Sequence, residues 1–346
     1  MRDELLASVY APPRTKEPWR LEDRLPGYDL RYFSYGRRAL AEGLRAAGLE
    51  PGAKVLLPEF ICRDLLSSLA AVQASPVYYP VGPDLAPAQD PSLWPKAQAV
   101  VAVDYFGFPQ DLAPFRAYCE STGAVLIEDN AHGLFSRDEA GLPLGARADI
   151  GVFSLRKSLA LPDGAALALK TGAREWALPA QSPFRSRITL RQRARGALRL
   201  LAGSMGAPSA FTLLRAFRAL RGVLRGNAPS GGPDAEFRLP EPDLPFAALS
   251  APLSIADPDL ETRRRRTLYR RMEAILAPRF PPVFKTLPGR VVPYAFVFRS
   301  GGRDAEAARI LARQSLAHLP WPDLPSTLEA SAPAHYRDIR LVHFLW

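Results

Sequence analysis

Two hydrophobic periods run along this chain. Short, nearly unbroken apolar runs occur at Lys54–Leu57, Pro76–Val81, Ala97–Tyr105, Ala124–Asp129, Ile150–Leu155 and Ala165–Leu169, and each predicts a strand. Between them, Arg37–Gly48, Arg63–Gln73 and Leu112–Ser121 read as helices. The first has apolar positions at Leu40 and Leu44, opens at Ser34-Tyr35-Gly36 and closes at Gly48. Strands without polar alternation, separated by helices, predict a mostly parallel sheet covered on both faces. Residues 1–30, with prolines at 12, 13, 18 and 26, read as irregular. Gly and Pro interrupt residues 203–245. A new unit begins near residue 246, with a helix through Arg263–Arg266 to Leu276, a strand at Val291–Arg299 and a helix at Asp304–Leu316. The expected architecture is α/β, with a large domain over residues 1–235 and a smaller α+β domain over 246–346. There is no internal repeat.

Composition agrees with a folded core. Of 346 residues, 47% are hydrophobic and 23% charged, which excludes a disordered or fibrous chain. Two cysteines, Cys62 and Cys119, cannot build a disulfide framework or a four-cysteine zinc site, so free thiols and no metal are expected. Acids among the first residues and the lack of a long apolar stretch predict no signal peptide and a cytoplasmic protein. The net charge of +10 is localised. Residues 181–230 hold ten arginines and neither acid nor lysine, so outside them the 35 remaining basic residues balance 35 acidic ones. A localised excess argues against general nucleic-acid binding. Arg191, Arg195 and Arg199 recur at helical spacing, and Arg215, Arg218, Arg221 and Arg225 share a face interleaved with leucine and phenylalanine. Such a segment suits an anionic membrane surface, a diphosphate or a packing partner. The run Arg263–Arg266 reads as a solvated helix face.

Lysine is scarce, with six against 39 arginines. A lysine kept beside an arginine, as in Arg156-Lys157, points to chemistry that arginine cannot perform, because only lysine loses its proton and forms an imine. In a parallel sheet, ligands gather beyond the carboxyl ends of the strands. Three groups stand there: Glu128-Asp129-Asn130-Ala131-His132, Phe153-Ser154-Leu155-Arg156-Lys157 and Ser34-Tyr35-Gly36-Arg37. They supply a carboxylate, an amine and an anion-binding helix start. Pyridoxal 5'-phosphate (PLP) needs those three: a carboxylate for its ring nitrogen, an amine for the imine and backbone amides for its phosphate.

Five blocks in order carry a family resemblance: SYGRRAL, PGAKVLLPEF, VLIEDNAHG, ADIGVFSLRKSLALPDGAAL and WPDLP. The chain from about residue 30 onward resembles the DegT/DnrJ-type sugar aminotransferases, PLP enzymes of fold type I. The resemblance implies that Asp129 meets the pyridinium nitrogen, that His132 lies near the phenolic oxygen and that Ser154 contacts the phosphate. It makes Lys157 the aldimine lysine and Gly36 and Arg37 the phosphate-binding amides, with Phe60 stacking on the ring. Lys157, Asp129 and His132 are then the catalytic candidates. The implied reaction transfers an amino group from glutamate or glutamine to a nucleotide-linked keto-sugar, within a homodimer. Two rivals are a cofactor-free regulatory or binding protein on the same fold, and a PLP-dependent sugar dehydratase. Lys157 argues against the dehydratase, since the family's dehydratases carry histidine there. Ser154 and Lys157 are three residues apart, closer than in common members, and the basic segment 181–230 has no counterpart in them.

Overall fold

The computed structural model describes residues 15–190, 193, 194, 197, 233–314 and 316–344. Most of the basic segment 181–230 lies outside the described residues. So do Arg191, Arg195, Arg199, Arg215, Arg218, Arg221 and Arg225, and with them the contact with a membrane, a diphosphate or a partner that the segment suits.

Seven strands form the large sheet: β1 (Tyr28–Phe33), β2 (Lys54–Pro58), β3 (Ser75–Tyr79), β4 (Ala99–Val103), β5 (Val125–Asn130), β6 (Ile150–Phe153) and β7 (Ala165–Lys170). Their order is β1-β7-β6-β5-β4-β2-β3. The pairs β2–β3, β2–β4, β4–β5 and β5–β6 are parallel, whereas β7 runs antiparallel to both of its neighbours. β4 is buried along its whole length, which accounts for its unbroken apolar run AVVAV. β1 begins inside the segment 1–30 read as irregular and ends beyond it, in a stretch for which no strand is expected. Its sequence YDLRYF alternates, and as an edge strand it buries only Leu30 and Phe33. Its pairing partner is the distant β7, Tyr32 facing Ala166, and no local pattern signals that contact.

Helix α1 (Gly36–Ala46) packs on the sheet through Ala39, Leu40, Gly43 and Leu44. A Cβ on Gly43 would meet Leu167 Cδ1 at 2.9 Å, so glycine permits this close approach. The predicted helix Arg63–Gln73 is instead a 3₁₀ turn (Arg63–Leu65) followed by short α2 (Leu66–Ala70), and α3 spans Ala113–Thr122. Helix α4, expected through Arg263–Arg266 to Leu276, runs over Pro258–Leu276, with Asp257 accepting from the amides of Asp259 and Leu260 and proline at its start. A three-stranded antiparallel sheet comes next, with β8 (Ala295–Arg299), β9 (Leu319–Pro320) and β10 (Ile339–His343) in the order β8-β10-β9, and α5 (Asp304–Ala312) after β8. Phe296, Phe298 and Leu341 of this sheet join the same buried cluster as Val101, Phe106 and Phe108. No described helix is long and apolar enough to cross a membrane.

A buried ion network ties β4 to β5 beneath the strand ends. Arg147 donates from Nη2 to Asp104 Oδ1 at 2.8 Å, and from Nε to Glu128 Oε1 at 2.7 Å. Its backbone amide donates to Glu128 Oε2 at 2.9 Å. Both carboxylates are fully buried, and burial beside Glu128 drives the Asp104 carboxyl well above its ordinary value. Removing the cation strands two desolvated acids, so Arg147→Met is expected to lower the unfolding free energy by about 3–5 kcal/mol. Urea unfolding measures this, and an unchanged midpoint would show that the network contributes nothing.

Candidate active site

The carboxyl ends of β5 and β6 lie side by side, because Asp129 pairs with Val152 and Asn130 with Phe153 in parallel register. The turns leaving these two strands therefore share one edge of the sheet. Reversed β7 begins at the same edge, and Gly164 donates its amide to Ser34 O at 2.7 Å, drawing the start of α1 to that edge. One pocket results. Its lining includes Tyr35, Gly36 and Arg37 from the start of α1, Cys62 and Asp64 beyond β2, Asp129 and His132 beyond β5, Ser154, Arg156 and Lys157 beyond β6, and Trp321.

Six of the seven residues singled out in the sequence line this pocket: Gly36, Arg37, Asp129, His132, Ser154 and Lys157. Phe60 does not. It is fully buried behind the wall, with its ring 5.1 Å from Trp321 and 5.6 Å from Tyr105. Trp321, from the WPDLP block, lines the pocket in its stead, alongside Tyr35. That block marks the segment, but nothing local shows that its tryptophan reaches across the fold.

The short spacing from Ser154 to Lys157 is one 3₁₀ turn, Leu155–Lys157, closed by Lys157 N–H to Ser154 O at 3.0 Å. The turn aims Lys157 into the pocket, where its Nζ lies 3.0 Å from His132 Nε2. The next residue is held from α4: fully buried Arg265 donates from Nη2 to Ser158 O at 3.2 Å and from Nε to Glu261 Oε1 at 2.6 Å. Arg264 reaches Phe344 O, and Arg266 reaches Pro288 O and Val291 O. Arg264–Arg266 thus form a strap across the lysine turn and the second sheet, and the reading of the run as a solvated face is corrected for these three, Arg263 alone being exposed. A charge run viewed in sequence does not reveal which neighbours its helix meets.

Tyr35 precedes α1 without a side-chain cap, and the first turn carries no acid. Its first amides have no intrahelical partner by geometry and retain the positive end of the helix dipole. A Cβ on Gly36 would sit 3.8 Å from Ser154 Cβ, so helix start and serine form one cradle. Arg37 lies 3.4 Å from Asp64, and Arg156 lies over the Tyr35 ring at 5.3 Å. At the other end, Asp129 Oδ1 accepts from Ala131 N–H at 3.0 Å. Carboxylate, amine and uncapped helix start together match the functional groups of PLP, and the residues present fit that cofactor.

Burial sets the protonation states. Desolvation lowers the Lys157 amine from its ordinary value, with Cys62 and Asp129 opposing the shift. Desolvation raises the Asp129 carboxyl, and Lys157 only partly restores it. His132 falls well below its ordinary value through burial and the neighbouring Lys157. The Cys62 thiol, which lines the pocket, is pushed up to about 12 by burial.

Residues 33–175 match the DegT/DnrJ/EryC1/StrS aminotransferase family. The L-glutamine:2-deoxy-scyllo-inosose aminotransferase of Streptomyces kanamyceticus is 31% identical over 137 residues, which are 38% of this chain and 31% of that one. The enzyme of the same name from Micromonospora echinospora is 33% identical over 145 residues, 40% of this chain and 34% of that one. These alignments thus span about a third of the curated relatives' length. Among solved structures, the aminotransferase TlmJ of Streptoalloteichus hindustanus superposes with a TM-score of 0.58 at 20% identity, covering 100% of this chain and 86% of that one. Spr1654 of Streptococcus pneumoniae, in its PLP form, gives 0.59 at 15% identity, over 99% and 90% of the two chains. The large mostly parallel sheet is thus that of the DegT/DnrJ aminotransferases, fold type I.

The raised Asp129 carboxyl has a consequence in the cofactor-free protein. Its folded pKa lies above the unfolded value of about 3.9. The native state therefore holds the extra proton between those two values, and stability falls as pH rises through that window. Asp129→Asn keeps the acceptor for the Ala131 amide and removes the desolvated charge. It is expected to melt at a higher temperature than the parent at pH 7 without cofactor, and to bind PLP more weakly. Thermal unfolding with and without PLP measures both, and a lower cofactor-free melting temperature would contradict the desolvation argument.

Proposed function

We propose that this chain is a PLP-dependent aminotransferase that moves an amino group from glutamate or glutamine to the ketone of a nucleotide-linked sugar. The observation that carries the reading is the convergence of Asp129, Lys157 and the uncapped start of α1 on one pocket. The family match over residues 33–175 supports the reaction class. Asp129 would hold the ring nitrogen in its protonated form, each charge favouring the other. Ser154 and the amides of Gly36 and Arg37 would bind the phosphate. PLP supplies, when bound, an electron sink that stabilises the carbanion left when a carbon beside nitrogen loses its proton. Lys157 would take up a proton at Nζ as a general base and return it as a general acid. Burial lowers its pKa toward the range in which both roles operate near neutral pH. As further parts of the proposal, two copies act as a homodimer and the reaction is cytoplasmic.

A second reading of the substrate comes from the names of the curated relatives. The Streptomyces kanamyceticus enzyme is named for 2-deoxy-scyllo-inosose, a keto-cyclitol without a nucleotide, and for glutamine as donor. An unlinked cyclic polyol ketone is therefore the alternative acceptor.

The protein loaded with PLP is expected to be yellow, and borohydride should fix the cofactor on Lys157. Peptide mapping that finds the label on another lysine, or a protein that takes up no PLP, would remove the reading. Lys157→Ala should lose at least about 1,000-fold in turnover, within the range that positioned acid–base groups contribute. A screen of keto-sugar nucleotides and scyllo-inosose, with glutamate and glutamine as donors, separates the two acceptor classes.

A further inference from the structure

His132 is 4% exposed, and each of its ring nitrogens has one polar neighbour. Nδ1 lies 3.3 Å from the backbone nitrogen of Phe106, and Nε2 lies 3.0 Å from Lys157 Nζ. A backbone amide donates and cannot accept. A neutral imidazole carries one N–H and one lone pair. If Nδ1 accepts from Phe106, the imidazole hydrogen is on Nε2. The acceptor that Nε2–H then faces is the lone pair of an uncharged lysine amine, because an ammonium group has none.

We infer that the Phe106 amide locks His132 as its Nε2–H tautomer, and that His132 donates this hydrogen to Lys157 Nζ and holds the lysine as an oriented free amine. His132 is on this view a positioning residue for Lys157. The inference deepens the role of Lys157 given above and rests on that reading for its functional meaning, though not for its test.

Four further observations converge on it. The imidazole is sandwiched between Phe106, at 5.5 Å and 4° between planes, and Tyr294, at 4.5 Å and 16°. Trp321 closes its edge at 5.9 Å, and His343 buttresses Tyr294 at 4.9 Å, so the ring has no room to rotate and exchange its nitrogens. Phe106 has a left-handed backbone, φ 56° and ψ 20°, uncommon for a bulky residue and maintained only where surroundings over-determine it. Those surroundings are visible. Tyr294 N–H donates to Phe106 O at 2.8 Å, and Gly107 comes next with φ 88°, where any Cβ would come within 2.8 Å of Val292 O.

The charges facing the pair agree with the geometry. Burial, His343 and Arg265 oppose protonation of His132. Around Lys157, burial and Arg156 favour the free amine, against Cys62, Asp129 and Asp64. The same Nε2–H tautomer is the one able to donate to a phenolic oxygen.

The test uses the cofactor-free full chain. The sequence holds four histidines, and the His132→Gln spectrum identifies the signals of His132. In ¹⁵N-histidine-labelled protein, long-range ¹H–¹⁵N correlation at pH 7 should show Nε2 protonated and Nδ1 bare, unchanged down to pH 6. A protonated Nδ1, alone or in an imidazolium, would overturn the inference. The second arm is reductive methylation by formaldehyde and cyanoborohydride, mapped on Lys157 as a function of pH. His132→Leu should move the half-maximal rate up by about one pH unit, making Lys157 about tenfold slower to react at pH 7. His132→Gln, which retains an N–H donor, should stay nearer the parent. Coincident profiles for parent and leucine variant would also overturn it. Neither arm involves PLP, so a protein that passes both but takes up no cofactor rejects the proposed function and leaves this inference standing.

Discussion

Parallel register between β5 and β6 puts Asp129 opposite Val152, and this pairing generates the site. Strands that leave the sheet at one edge deliver their succeeding turns to one place, so the carboxylate and the amine meet without either turn being long. The sheet's single reversed strand completes the arrangement. Because β7 enters from the edge that the others leave, Gly164 can bond Ser34 and bring the start of α1 beside Ser154. A parallel β7 would leave from that edge and place its own start at the opposite end of the sheet.

Around this frame the chain buries charge rather than avoiding it. Arg147 serves Asp104 and Glu128, and Arg265 serves Glu261 and the carbonyl of Ser158. Arginine suits both positions. Its guanidinium is planar and always charged, and it offers several donors in fixed directions. Each pair is costly to desolvate and contributes geometry more than net stability. The first supports the strand ends just below Asp129, and the second fixes the backbone immediately after Lys157.

The pocket divides its polar groups by environment. The uncapped end of α1, with Arg37 and Arg156 nearby, faces it with positive charge, which suits a phosphate. The opposite end is aromatic and buried, with Phe106, Tyr294 and Trp321 packed around His132. Desolvation there favours uncharged imidazole and uncharged amine together, and proton transfer at carbon requires such an amine.

Much of this was legible in the residues alone. The apolar runs from Lys54 to Leu169 marked six of the seven large strands, and in the central ones the reason is that a strand buried on both faces must be apolar throughout. The resemblance assigned Asp129, His132, Ser154 and Lys157, because chemistry ties a carboxylate and an amine to the ends of two such strands. Edge strand β1 escaped, since its partner is distant in sequence and half its side chains face out. Phe60 and Trp321 exchanged places as the pocket's aromatic wall, because which of two touching rings faces a cavity depends on how remote segments pack. The arginine run of α4 looked solvated for the same reason. Helix spacing specifies which residues share a face, but only the tertiary fold decides what that face meets. The amino-acid sequence thus determined the strands and the candidate reacting groups, which local hydrophobicity and chemistry encode. The tertiary structure alone decided how the histidine, the lysine and the rings around them are held, because those contacts join residues as distant in the chain as His132 and Trp321.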